Sequence, residues 1–107
     1  MKKYDNELED FSYVGENCYG LDFSNGFYKN GIFRKCYFRG SPFTNSTFIN
    51  VVFDGCNLED VDFSGSTFTA SAIKENCKVN SDTDFSASFD TFSFNSSLET
   101  IAKRVSV

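Results

Sequence analysis

The sequence predicts an all-β fold, a solenoid whose chain turns about once every five residues. Three observations carry this expectation. The 107 residues include 14 Phe and 5 Tyr but no Trp and no His. Ser, Thr, Asn, Asp and Gly supply much of the remainder, a vocabulary of turns rather than of helices. The large apolar residues recur at a period of five, which fits neither the 3.6 of a helix nor the 2 of a strand.

From Gly31 the chain divides into GIFRK, CYFRG, SPFTN, STFIN, VVFDG, CNLED, VDFSG, STFTA and SAIKE. The third place of each five holds Phe33, Phe38, Phe43, Phe48, Phe53, Leu58, Phe63, Phe68 and Ile73. The first place holds only small or compact residues, such as Cys36, Ser46, Val51, Cys56 and Ser66. A weaker version upstream (ENCYG, LDFSN, GFYKN) keeps Cys18, Phe23 and Tyr28 at the third place. The register thus runs over residues 16–75 and lapses near Asn76, where Lys78 would fall at the third place. Two inward residues in every five, two apart, describe a short extended piece between bends. Four such pieces close a square coil of about 20 residues, so residues 16–75 make about three coils, stacked at the strand spacing of about 4.8 Å.

These units resemble the pentapeptide-repeat family, whose pattern is a small residue, then Asp or Asn, then Leu or Phe, then two variable places. Asn57-Leu58 and Asp62-Phe63 match it fully, whereas Ile32, Tyr37, Pro42 and Val52 depart from it at the second place. The resemblance implies a right-handed quadrilateral β-helix. The large residues would form a ladder down the axis, with the small ones at the corners.

The flanks are expected to cover the two ends of the stack, which otherwise expose strand edges. Residues 1–15, with Leu8, Phe11, Tyr13 and Val14 among charged residues, read as an N-terminal cap. Residues 76–107 read as an aromatic cap. Ser96-Ser97-Leu98-Glu99 forms a capping box, and Leu98, Ile101, Ala102 and Val105 keep helical spacing, which predicts a short helix over about 97–105. Two packings fit Phe85, Phe89, Phe92, Phe94, Leu98 and Ile101: closing the last coil of their own chain, or joining a second copy end to end as a homodimer.

The composition excludes several chemistries. Without His, Ser-His and Cys-His nucleophile pairs cannot form. There is no glycine-rich phosphate loop. The four cysteines at 18, 36, 56 and 77 contain no C-x-x-C pair, so no metal site or cofactor is expected and reduced, buried thiols are. An axis filled with Phe leaves no pocket, and carboxylates on a convex surface lack the burial that tunes acid–base catalysis. The net charge of −5 argues against direct nucleic-acid binding. No apolar run reaches the roughly 18 residues of a membrane span, and the N-terminus has no signal-peptide hydrophobic stretch. The expectation is a non-catalytic cytoplasmic protein, without membrane contact, that presents a surface to a protein partner.

Two surfaces stand out. Phe27, Tyr37, Ile49 and Val52 are apolar residues at outward places and suit an interaction scaffold. Glu59, Asp60 and Asp62 form an acidic cluster around one corner. Members of the resembled family mimic B-form DNA and protect or inhibit DNA-acting enzymes such as gyrase, so the resemblance implies this alternative and the acidic cluster would carry it. Against it, residues 17–75 hold five basic and six acidic side chains, and the 20-residue coil stacks Arg34 with Asp54, Asp54 with Lys74 and Arg39 with Glu59. A duplex mimic would stack carboxylate on carboxylate.

Overall fold

The computed structural model describes residues 6–74 and 76–90, with the backbone of residues 2–3 and 93–94. The regular elements are β1 (Lys2–Lys3), β2 (Glu7–Val14), β3 (Leu21–Asp22), β4 (Phe27–Arg34), β5 (Thr47–Asp54), β6 (Thr67–Thr69), β7 (Ala72–Ile73), β8 (Ser88–Asp90) and β9 (Ser93–Phe94). All pairings are parallel, and they wind the chain into a four-sided solenoid of about 4 turns. The helix expected over about 97–105, with Leu98 and Ile101, lies outside the described residues, as do Phe92 and the side chain of Phe94.

The five-residue period follows from the corners. Every fifth residue from Asp10 to Ala70 has a positive φ, between 52° and 77°. A left-handed residue is what a tight turn with a reversed second bend requires, and Gly, Asn and Asp adopt it at least cost. Those three residue types fill the fifth place everywhere except at Lys35 and Ala70. Between corners each side is a short extended piece. Its third residue points to the axis and its second and fourth point outward.

This corner pattern extends the solenoid below residue 16. β2 pairs with β4 in the same register as β4 with β5, placing Leu8 on Tyr28 on Phe48 and Tyr13 on Phe33 on Phe53. Residues 6–15 therefore form two sides of a first coil rather than a separate cap. Phe11 occupies a first place, where a small residue is the rule. It fits because Gly31 stands above it, and a Cβ there would run into the Phe11 ring. Tyr28 is accommodated in the same manner by Gly26.

The coil also continues beyond residue 75. Asn57 pairs with Lys78, Asp62 with Asp84, Phe68 with Phe89 and Ile73 with Phe94. Val79, Phe85, Phe89 and Phe94 thus occupy the third places of a further coil. The residue offset from the coil below drifts from 20 to 21, to 22 and back to 21, because one extra residue enters before Cys77, another before Thr83, and one is dropped before Ser88. Strict spacing ends near residue 75; the coil does not.

The axis is solid. Phe23, Phe43, Phe63 and Phe85 stack at centroid distances of 4.7, 5.4 and 5.6 Å. Tyr28, Phe48, Phe68 and Phe89 stack at 5.1, 4.5 and 5.2 Å. Rings on neighbouring sides meet edge-on, as at Phe33 and Phe38. Offset stacks along a column and edge contacts between columns are the arrangements that ring quadrupoles favour.

The first-place residues do more than fit. Ser41, Ser46 and Ser66 donate their hydroxyls to the carbonyls of Cys18, Phe23 and Phe43, each 23 residues back at a corner of the coil below. Ser46 and Ser66 also accept the N–H of Gly26 and Ser46. Corner backbone groups that the strand ladder does not reach are satisfied this way. Among the described residues no buried side-chain nitrogen or oxygen lacks a partner.

Candidate interaction face

Four outward faces are available, each a two-column array of second-place and fourth-place side chains. The side centred on Cys18, Phe38, Leu58 and Val79 carries the most exposed aromatic surface. Its second-place column is Asn17, Tyr37, Asn57 and Lys78, and the backbone bridges Asn17–Tyr37, Tyr37–Asn57 and Asn57–Lys78 align these residues one coil apart. Its fourth-place column is Tyr19, Arg39, Glu59 and Asn80. Tyr19 is 66% exposed and Tyr37 38%, and their rings lie 6.2 Å apart. Asn17, Tyr19, Tyr37, Arg39, Gly40 and Asp60 line one shallow open depression.

The local sequence explains this geometry. The Asn17 side chain accepts the N–H of Tyr19 and that of Asn57 accepts the N–H of Glu59, so an amide at the second place fixes the fourth. Gly20 and Gly40 turn the corner with φ of 77° and 73° and add no side chain to crowd the rings. Arg39 Nε lies 3.1 Å from Asp60 Oδ2. Its guanidinium is therefore held at the edge of the depression with its charge matched on one side.

The other outward apolar residues lie elsewhere. Phe27 is 38% exposed and Ile49 half-buried, both on the side that begins β4 and β5, whereas Val52 is half-buried on the adjoining side. The structure does not bring these three together with Tyr37. Tyr19 was missed in the sequence because it sits at a variable fourth place; its offset from Tyr37, one coil and two places away, was the available signal.

The acidic residues are bound into the scaffold. Asp60 is a corner residue with φ 59°, and it takes Arg39 on one oxygen and the Asn80 amide, at 2.9 Å, on the other. The Asn80 amide and then Arg39 hold its carboxyl below the ordinary value. Glu59 accepts from the Asn57 amide, and Asp62 accepts the N–H of Ser64 on the adjoining side. Of the expected ion pairs, Arg34 with Asp54 forms at 3.1 Å. Arg39 pairs with Asp60 rather than Glu59, reaching diagonally to the corner. Asp54 is held low by the Asn76 amide first, with Arg34 and Lys74 adding to it. Among the described residues one carboxylate-bearing residue sits in register on another, Asp62 beneath Asp84, and the drifting register after residue 75 concealed it in the sequence.

At the C-terminal end Phe85 is fully buried against Phe63, and Phe89 is half-buried against Phe68. Both are packed on their own chain. The four cysteines are buried and not disulfide-bonded, three of them in one column at first places. No helix of the described residues is long and apolar enough to cross a membrane.

Residues 33–73 match the family model for pentapeptide repeats (9 copies). No curated protein matches the chain. Among solved structures it is similar to the pentapeptide repeat protein Rfr23 from the cyanobacterium Cyanothece 51142, with a TM-score of 0.66 and 17% identity over 84% of this chain and 60% of that one. It is also similar to a trypsin-treated variant of QnrB1, a plasmid-mediated fluoroquinolone resistance protein, with a TM-score of 0.54 and 21% identity over 83% of this chain and 50% of that one. The chain therefore spans between half and three-fifths of the length of these two proteins. At such identities the likeness is one of fold, the right-handed quadrilateral β-helix.

Proposed function

Because the chain carries a pentapeptide-repeat β-helix, we propose that it acts without catalysis, as a scaffold that binds a protein partner through the face bearing Tyr19 and Tyr37. The observation that carries this reading is the exposed tyrosine pair beside Arg39. Tyr and Arg are the side chains most enriched at energetic centres of protein interfaces, because each offers apolar area together with a polar end. A flat sheet face held by 20-residue register costs little conformational entropy on binding. The filled axis supports the non-catalytic part of the reading, since it gives a substrate no enclosed site.

A second reading, an inhibitor or protector of a nucleic-acid-acting enzyme through partial DNA mimicry, draws on the Asp62–Asp84 stack. One observation weighs against it as the main activity: Arg34 and Arg39 neutralise carboxylates on two other faces.

The deciding experiment is affinity capture from nuclease-treated host lysate with wild type, the Tyr19→Ala/Tyr37→Ala variant and the Asp62→Asn/Asp84→Asn variant, with and without competing duplex DNA. The scaffold reading expects capture that the tyrosine variant loses and DNA leaves unaffected. Capture of a DNA-acting enzyme that duplex DNA and the aspartate variant both abolish, with the tyrosine variant unchanged, would overturn it in favour of mimicry.

A further inference from the structure

We propose that Cys36, Cys56 and Cys77 form a binding column for a thiophilic d10 cation such as Cu+, held in linear two-coordination between successive sulfurs, with Cys56 as the shared ligand. This inference is independent of the partner-binding face.

The three cysteines occupy first places at one corner of successive coils. Each thiol donates to the carbonyl of a third-place residue of the coil below: Cys36 Sγ to Tyr13 O at 3.4 Å, Cys56 Sγ to Phe33 O at 3.1 Å and Cys77 Sγ to Phe53 O at 3.3 Å. Tyr13, Phe33 and Phe53 are themselves in direct register. The thiols are thus related by translation along the axis and repeat at the coil rise, about 4.8 Å. The Zn–S bond of about 2.3 Å is an upper bound for a two-coordinate Cu+–S bond, so two such bonds end to end span at most about 4.6 Å, and small side-chain torsions close the remaining gap. A disulfide, in contrast, needs its Cβ atoms about 3.5–4.5 Å apart and its side chains turned toward one another, which parallel translation opposes.

The surroundings select the ion. Cys36 and Cys56 are 1% exposed and Cys77 7%, so hydrated hard cations gain nothing there. Soft thiolates prefer Cu+ among the available metals. Among the described residues no group of three or more His, Cys, Asp or Glu is placed to hold one metal ion together, so only a pair of successive sulfurs is on offer, too few donors for Zn2+.

Packing does not demand sulfur at these places. Ser41, Ser46 and Ser66 make the same donation to a third-place carbonyl at equivalent corners. What three consecutive cysteines add is a line of soft donors. On binding, two S–H bonds break and two S–Cu bonds form. Two protons leave to solvent, copper stays Cu+, and no electrons are transferred.

The test is anaerobic titration of the reduced full chain with Cu+ in competition with a chromogenic Cu+ chelator, followed by near-ultraviolet thiolate-to-copper absorption and by Tm. Wild type should take Cu+ from the chelator, gain the absorption band and melt higher. Cys56→Ser should keep its far-ultraviolet dichroism but lose the band and the Tm rise. Cys36→Ser and Cys77→Ser should each retain one sulfur pair and bind, as should Cys18→Ser. Where Cys56→Ser fails to fold, the double variant Cys36→Ser/Cys77→Ser isolates Cys56 and should show the same loss. Wild type that yields all Cu+ to the chelator, or either disabled variant binding as wild type does, would overturn the proposal.

Discussion

The Ser66 hydroxyl donates to the Phe43 carbonyl at 2.6 Å and accepts the Ser46 N–H at 3.0 Å, so one side chain joins two backbone groups of the coil below. Ser66→Ala leaves both groups buried without a partner. The expected loss is about 1–3 kcal/mol. It should appear in urea unfolding as a lower midpoint with an unchanged slope.

Phe48 lies between Tyr28 and Phe68, at 5.1 and 4.5 Å, and is fully buried. Neither neighbour can collapse into the space without breaking its own stack. Phe48→Ala should therefore destabilise by about 3–5 kcal/mol, toward the upper end of large-to-small substitutions. Equilibrium denaturation measures it; a loss under about 1 kcal/mol would mean the column repacks freely.

Ala70 turns its corner with φ 52°, where equivalent corners hold Gly, Asn or Asp. A Cβ in this conformation costs about 1–2 kcal/mol, and glycine removes that strain while adding freedom to the unfolded chain. Ala70→Gly should stabilise by roughly 0.5 kcal/mol, read as a rise in Tm of a few degrees. The converse change, Gly40→Ala at φ 73°, should lower Tm.

Asp54 and Asp60 both titrate below the ordinary 3.8, Asp54 chiefly through Asn76 and Asp60 chiefly through Asn80, with an arginine assisting each. A carboxyl depressed in the folded state binds its proton more readily when unfolded. Its contribution is complete above 3.8 and is lost as pH falls below that value through the folded pKa. Melting temperatures measured through the acidic range should drop in this window. The double variant Asp54→Asn/Asp60→Asn should show a shallower drop.

The sequence displays the fold because the corner and the core repeat together. Phe33 to Ile73 mark the axis, and the fifth places mark the left-handed bends. Legibility fails where a compensation spans two coils. Phe11 looks wrong for a first place until Gly31 stands above it, so residues 6–15 read as a cap. Phe85 and Phe89 read as part of an aromatic cap because inserted residues before Cys77 and Thr83 shift them out of register. The same drift hides the Asp62–Asp84 stack. Arg39 shows a different limit: a coil-spacing rule pairs it with Glu59 directly above, but the corner conformation of Asp60 turns its carboxylate toward the arginine. The tyrosine face is only half legible, since Tyr37 and Tyr19 stand at different places of their repeats.

The constant 20-residue offset between β2, β4 and β5 bears on how such a chain can change in length. Duplicating or deleting a whole coil alters height and leaves every side chain above on its original side. Removing a single five preserves the inward and outward pattern but rotates everything downstream by a quarter turn. A deletion of five residues between Gly20 and Tyr37 would move Tyr37 to the neighbouring side and part it from Tyr19, with the core still filled. The compass bearing of each residue, rather than its depth, is what such an event would scramble.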